Sequence, residues 1–102
     1  MGATISDLDI LKRNAGKAAS MLRALANERR LMILCLLIAG KEIAVGDLSR
    51  QLGLSQSATS QHLAKMREEG LIAFRRSSQT IYYRIADKNV RRVIATLKAI
   101  YC

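Results

Sequence analysis

Small, polar and uncharged side chains recur at helical spacing between residues 56 and 64. Such side chains can enter the major groove of DNA and hydrogen-bond to base edges, and an alanine methyl can contact a thymine methyl. A helix face exposed only to solvent more often carries Glu and Lys. The spacing therefore predicts one helix face that reads bases, formed by Gln56, Ser57, Ser60, Gln61 and Ala64.

The residues around this face predict a helix-turn-helix. Leu48 and Leu52 lie four residues apart and give a short first helix one apolar side. Gly53 can adopt the positive φ that ends a helix, and Ser55 can accept a backbone N–H and begin the next helix. The opposite stripe of that second helix is predicted to pack inward and consists of Thr59, His62, Leu63 and Met66.

A β-hairpin is predicted directly after the second helix, so that the whole motif is a winged helix. Residues 71–76 and 80–85 have the composition of strands, and residues 77–79 form the turn. Four side chains of this wing can reach phosphates or the minor groove: Arg75, Arg76, Gln79 and Arg84. Since neighbouring residues of a strand point to opposite faces, only one of Arg75 and Arg76 is expected to contact DNA. For each wing arginine, a solvated surface charge is an equal alternative.

Three further helices complete the predicted order α-α-α-α-β-β-α, a mainly helical winged-helix fold. They span residues 6–26, 28–39 and 88–102, with Asn27 and Asp87 as the caps of the last two. No linker, repeat or low-complexity segment divides the sequence, so a single domain over all 102 residues is expected. The first and last helices are more apolar than a lone small domain needs, which predicts a homodimer that presents two recognition helices to DNA.

The chain is strongly basic, with a formal net charge of +9. Each quarter of the sequence is net positive, so the whole surface favours a polyanionic partner, of which nucleic acid is the common case. The longest apolar run, residues 31–39, is too short to span a bilayer, and the amino terminus lacks the pattern of a secretion signal. These features predict a cytoplasmic protein that binds double-stranded DNA and has no membrane partner.

Cys35 and Cys102 are the only cysteines of the chain, and His62 is its only histidine. From the residues alone, Cys35 is favoured as a small buried hydrophobe. The apolar stripe of its helix is predicted to consist of Leu31, Leu34, Cys35 and Ile38. Apolar surroundings and a helix C-terminus both disfavour a thiolate, and His62 is favoured as a packing or phosphate-contacting residue. The sequence contains no Cys-x-x-Cys and no Cys–His pairing, which argues against a thiol enzyme.

The chain resembles the ArsR/SmtB family of bacterial dimeric winged-helix repressors over nearly its whole length, through ALANERRLMILCLL, VGDLSRQLGLSQSATSQHLAKMREEGLI, a short wing and a terminal helix. The resemblance implies a repressor that leaves its operator when a metal ion or a redox signal acts on it. Where arsenic-sensing members carry a cysteine pair, this chain has Ala44 and Gly46. Its last helix has no His and a single acidic residue, so neither of the family's usual metal sites is expected, and no cofactor.

The pairing of ILC in the second helix with a terminal YC is similar to the subgroup of this family that senses persulfides, polysulfides or related oxidants through two cysteines. The resemblance implies that Cys35 and Cys102 are joined by a disulfide or polysulfide bridge, and that this bridge releases DNA. The alternative is a winged-helix regulator that responds to a metal ion or a partner protein, with cysteines that are only structural.

Overall fold

The structure, a computed structural model, describes residues 5–102. In chain order its elements are α1 (Ile5–Leu25), α2 (Glu28–Gly40), β1 (Ile43–Ala44), α3 (Val45–Leu52), α4 (Gln56–Glu68), β2 (Ile72–Ser77), β3 (Thr80–Ile85) and α5 (Lys88–Tyr101). This confirms the predicted winged-helix order and adds one strand, β1. A strand of two residues has no alternating pattern in sequence, which is why it was not predicted.

The three strands form one antiparallel sheet in the order β1-β3-β2. β1 brings the connection between α2 and α3 alongside the wing, with Ala44 opposite Tyr82. On the far side of β3, Arg75 also lies opposite Tyr82, and Ala73 lies opposite Arg84. The outer face of the sheet therefore carries side chains from all three strands.

Local capping explains where the helices begin and end. Asn27, Ser55 and Asp87 each accept backbone N–H hydrogen bonds at the starts of α2, α4 and α5, as the sequence predicts. Gly53 ends α3 in the left-handed region, with φ of 68°. Gly53 and Ser55 thus bound the short turn between α3 and α4.

α2 is the central helix. It packs against α5, α3 and β3, and it buries Ile33, Leu34 and Leu37 completely. The predicted stripe is confirmed at Leu34, whereas Leu31, Cys35 and Ile38 are only half-buried at the edge of the core. The neighbours of α2 cover the side of the helix that carries Ile33 and Leu37. The other buried apolar residues are Leu25, Leu48, Leu63, Met66, Leu71, Ile72, Tyr83, Ile85, Val90 and Ile94.

α1 and the end of α5 keep a large apolar surface exposed. On α1, Leu11 is 64% exposed and Leu22 is 60% exposed. On α5, Ile100 is 65% exposed and Tyr101 is 80% exposed. Among residues 6–25 of α1, whose burial is described, Leu25 alone is buried, so the apolar side that the sequence predicts for this helix is left largely uncovered.

Candidate nucleic-acid interface and thiol pair

The two faces of α4 divide as the sequence predicts. Thr59, Leu63 and Met66 are completely buried, and His62 is half-buried beside them. The five side chains of the predicted reading face, Gln56, Ser57, Ser60, Gln61 and Ala64, are all exposed. A polar helix face of this kind, held on a buried apolar stripe, has the form of a DNA recognition helix.

The start of α4 is held by a small hydrogen-bond network. Ser55 Oγ accepts the Ala58 N–H at 3.0 Å. Thr59 is buried and polar, and its Oγ1 donates to the Ser55 carbonyl at 2.9 Å. A side chain at Gly46 of α3 would bring its Cβ within 3.3 Å of Gln56 Nε2. The lack of a side chain at Gly46 thus leaves room for the Gln56 amide beside α3.

The wing separates its arginines onto different faces, as strand alternation predicts. Arg76 lies opposite Ile81, and its side chain is exposed. Arg75 and Arg84 share the outer face of the sheet with Tyr82. Gln79 is exposed at the turn, next to Ser78, which adopts a φ of 56°. Arg76, Gln79 and Arg84 are therefore accessible at the tip and outer side of the wing.

Arg75 is engaged within the protein. Its Nε and Nη2 donate to the two carboxylate oxygens of Glu42 at 2.9 and 2.8 Å. Its guanidinium also covers the Tyr82 ring, 4.7 Å from the ring centroid. The hydrogen bond from Arg75 lowers the pKa of Glu42, and the positive charges of Arg75 and Arg84 act in the same direction. Glu42 was not predicted as a functional residue, because only the unforeseen strand β1 places it beside the wing.

The two thiols lie at the contact between α2 and α5. Cys35 is half-buried on α2 and Cys102 is exposed at the end of α5, and both are free thiols. Burial raises the pKa of Cys35, the charge of Cys102 raises it further, and Lys98 opposes both effects. Lys98 lies one helical turn before Cys102, whose N–H donates to the Lys98 carbonyl at 2.8 Å.

A partly buried ion pair joins the recognition helix to the helices that precede it. Arg30, only 16% exposed, donates to Glu69 just beyond the end of α4, and also to the Ala24 carbonyl near the end of α1 at 3.0 Å. No local spacing predicts this pair, because its members are 39 residues apart in sequence.

Within residues 5–102, no three His, Cys, Asp or Glu side chains converge as possible metal ligands. In the same range, no helix combines the length and apolar character needed to cross a bilayer.

The buried and exposed stripes of α4, the helix-turn-helix and the β-hairpin define a winged-helix DNA-binding protein. The chain belongs to the bacterial regulatory protein family arsR, whose defining pattern matches residues 27–73. It is thus a transcriptional regulator that binds DNA, and not an enzyme. The family resemblance predicted from the sequence is confirmed.

Individual relatives agree with this assignment. The HTH-type transcriptional regulator YgaV of Escherichia coli K12 is 47% identical, over 96% of this chain and 99% of its own. A structure described as reduced HlyU from Vibrio cholerae is 47% identical, with a TM-score of 0.83 over 90% of this chain and 96% of that one. The transcriptional repressor BigR from Xylella fastidiosa is 33% identical, with a TM-score of 0.81 over 92% and 95%.

Proposed function

We propose that this chain is a homodimeric repressor that leaves its operator when Cys35 and Cys102 react with a persulfide, a polysulfide or another oxidant. The observation that carries the proposal is that the two free thiols lie on α2 and at the end of α5, two helices that pack against each other. The similarity to a regulator whose structure is described as reduced, and to one described as a repressor, supports it. In this proposal, the reaction of the two cysteines causes the release of DNA.

The proposed reaction uses the different exposure of the two thiols. Cys102 is exposed and Cys35 is half-buried, so Cys102 reacts first. Its thiolate takes the outer sulfur of a persulfide donor, R–S–SH, and R–S⁻ leaves. The Cys35 thiolate then attacks the Cys102 sulfur and expels hydrosulfide, which forms a disulfide. Two electrons pass from the cysteine pair to the donor. If Cys35 also takes the outer sulfur of a second donor, the Cys102 persulfide anion attacks the Cys35 sulfur and expels hydrosulfide, which leaves a trisulfide bridge.

The bridge would couple to DNA through the packing of α2. It ties the central helix to α5, while Arg30 of α2 holds Glu69 at the far end of the recognition helix. A bridge that fits the free conformer better than the DNA-bound conformer weakens binding by the difference in strain. Couplings of this kind are typically about 1–3 kcal/mol, or about 5- to 150-fold in affinity.

In a homodimer, the coupling would act on the relative positions of two recognition helices. The exposed apolar residues of α1 and α5, among them Leu11, Leu22 and Ile100, supply the surface that a second copy would cover. Two recognition helices then read half-sites about one helical turn apart. In the proposed complex Gln56, Ser57, Ser60, Gln61 and Ala64 contact bases, and Arg76, Gln79 and Arg84 contact phosphates or the minor groove.

The test starts from a duplex selected by the reduced protein from a random-sequence pool. Binding is followed by fluorescence anisotropy before and after glutathione persulfide, with intact mass as a record of the bridge. Cys35→Ala and Cys102→Ser should each bind the duplex when reduced and should keep it after the donor is added, since the bridge needs both sulfurs.

The wild-type protein should release the duplex and recover binding with a thiol reductant. Release that persists in either single-cysteine variant would overturn the dithiol mechanism. In that case a regulator with structural cysteines, which answers to a metal ion or a partner protein, takes its place.

A further inference from the structure

The outer face of the wing carries a carboxylate where a DNA-binding surface would be expected to carry only cations. Glu42 lies on this face together with two guanidinium groups, those of Arg75 and Arg84. Its side chain is 29% exposed and that of Arg75 is 52% exposed, so the pair is open to solvent and to a ligand. The chain has a formal net charge of +9, so a carboxylate on this face reduces the positive charge that would attract DNA.

The chemistry of the pair makes it a mimic of a DNA contact. Arg75 presents two N–H groups to two oxygens of Glu42 at 2.9 and 2.8 Å. The planar guanidinium uses this same two-pronged geometry to bind a phosphate. One guanidinium edge cannot serve both anions, so a phosphate reaches these N–H groups only if Glu42 leaves them.

We propose that Glu42 is an internal competitor for DNA phosphate, which holds Arg75 in the free protein and thereby limits the wing's contribution to operator affinity. β1 is the element that positions it, since this strand aligns the α2–α3 connection beside β3. The stacking of Arg75 on Tyr82 keeps the guanidinium on the outer face whichever anion it binds. The inference rests on the proposed contact of the wing with phosphates, and Arg84 serves to test that contact separately.

The experiment is a double-mutant cycle between Glu42→Gln and Arg75→Gln, read as operator affinity against salt concentration. Each neutralised phosphate contributes about −0.9 to the slope of log K against log salt. Glu42→Gln should steepen the slope by about this amount and raise affinity about two- to fivefold, the scale of one exposed ion pair. Arg75→Gln alone should change the slope little, because Arg75 is held by Glu42. In the double variant the gain from Glu42→Gln should vanish.

Glu28→Gln is the matched control, because it makes the same charge change at the start of α2, away from the wing. It should leave the slope unchanged. Urea unfolding midpoints of all variants show whether each one remains folded. A variant with Glu42→Ala repeats the test without a residual amide.

Three results would overturn the proposal. Arg75→Gln could lower the slope by about 1 while Glu42 is present, which would mean that Arg75 already contacts a phosphate. Glu42→Gln could leave affinity unchanged, or it could raise affinity equally in the Arg75→Gln background. Arg84→Gln separates these results from a failure of the proposed contact between the wing and phosphates. If Arg84→Gln lowers the slope, the wing binds phosphates and only the role of Glu42 is wrong.

Discussion

Arg30 joins three helices through a single guanidinium group. It donates to both carboxylate oxygens of Glu69, at 3.0 and 2.5 Å, and to the Ala24 carbonyl at 3.0 Å. Ala24 lies near the end of α1, Arg30 lies in the first turn of α2, and Glu69 follows α4. The recognition helix is therefore fixed at its far end to the helices that carry Cys35 and the exposed apolar surface.

Glu69→Gln should lower the free energy of unfolding and weaken its dependence on pH in the acid range. The hydrogen bond from Arg30 lowers the pKa of Glu69 in the folded protein. The stability from this pair is therefore present above the ordinary carboxyl pKa of about 4.3, and it is lost as pH falls through the lower folded value. We expect a loss of about 1 kcal/mol at pH 7, since the carboxylate is partly exposed.

Urea unfolding between pH 3 and pH 7 provides the measurement. Glu69→Gln in an Arg30→Met background is the control, and it should cost much less than it does in the wild type, because its partner is already absent. Parallel acid limbs for the wild type and Glu69→Gln would show that the pair does not contribute in this way.

Ser55 and Ser57 should differ sharply in what they contribute, although both lie at the start of α4. Ser55→Ala removes the cap hydrogen bond to the Ala58 N–H and should cost about 1 kcal/mol of stability. Ser57→Ala, at an exposed position, should change stability by less than about 0.5 kcal/mol and should instead weaken discrimination between operator sequences. Thermal unfolding together with binding to single-base operator variants separates the two. Equal destabilisation by both would contradict the assigned cap.

Much of the recognition element was predictable because its signals are local. Ser55, Gly53 and Asp87 act through backbone groups within a few residues, and the two stripes of α4 follow from helical period alone. The wing strands were found from composition and a turn. The exposed polar face of α4 could therefore be predicted without knowledge of tertiary packing.

The parts that were missed depend on contacts distant in sequence. β1 exists because it pairs with β3, and Glu42 meets Arg75 across 33 residues. The buried side of α2 differs from the predicted apolar stripe. Helical period predicts which residues share a face, but it does not predict which neighbouring elements cover that face. The residues alone favoured Cys35 as a buried hydrophobe, whereas it is half-buried at the margin of the core, and Cys102 and Lys98 affect its pKa.

Leu11→Glu should convert the proposed dimer to a folded monomer. Leu11 is 64% exposed, so the charge costs the isolated chain little, whereas it would be buried without a partner in a dimer interface. Sedimentation at micromolar concentration measures the association, and circular dichroism confirms that the helices remain. Lys12→Glu makes a larger charge change on the adjacent residue and should leave more dimer. A wild-type protein that sediments as a monomer would refute the dimer itself.

Gln61→Ala and Arg84→Ala should affect two different properties of DNA binding, sequence preference and salt dependence. Gln61 lies on the reading face of α4, so its loss should relax sequence preference and leave the salt dependence nearly intact. Arg84 lies on the outer face of the wing, so its loss should weaken binding to all sequences and reduce the salt slope by about 1. Titrations of matched and mismatched duplexes at several salt concentrations measure both quantities. The reverse pattern would exchange the roles of helix and wing.

The reactivity of Cys35 should follow the charges around it. Burial and the charge of Cys102 raise its pKa, and Lys98 lowers it. Cys102→Ser removes one of the raising causes and should move the pKa of Cys35 downward, whereas Lys98→Met removes the opposing charge and should move it upward. Because the thiolate is the reactive form, and only an ionised Cys102 acts on Cys35, the midpoint of Cys35 alkylation should lie at the lowest pH in Cys102→Ser, at a higher pH in the wild type and at the highest pH in Lys98→Met.

The measurement is the rate of reaction with neutral iodoacetamide between pH 6 and pH 10, with Cys35 quantified by peptide mass. Lys98→Arg is the matched control, since it keeps the positive charge and should keep the pH profile of the wild type. A change of packing alone would slow or speed the reaction at every pH without moving its midpoint. If the midpoints of Cys102→Ser, Lys98→Met and the wild type coincide, the charges of Cys102 and Lys98 do not affect the pKa of Cys35, and the assigned causes are wrong.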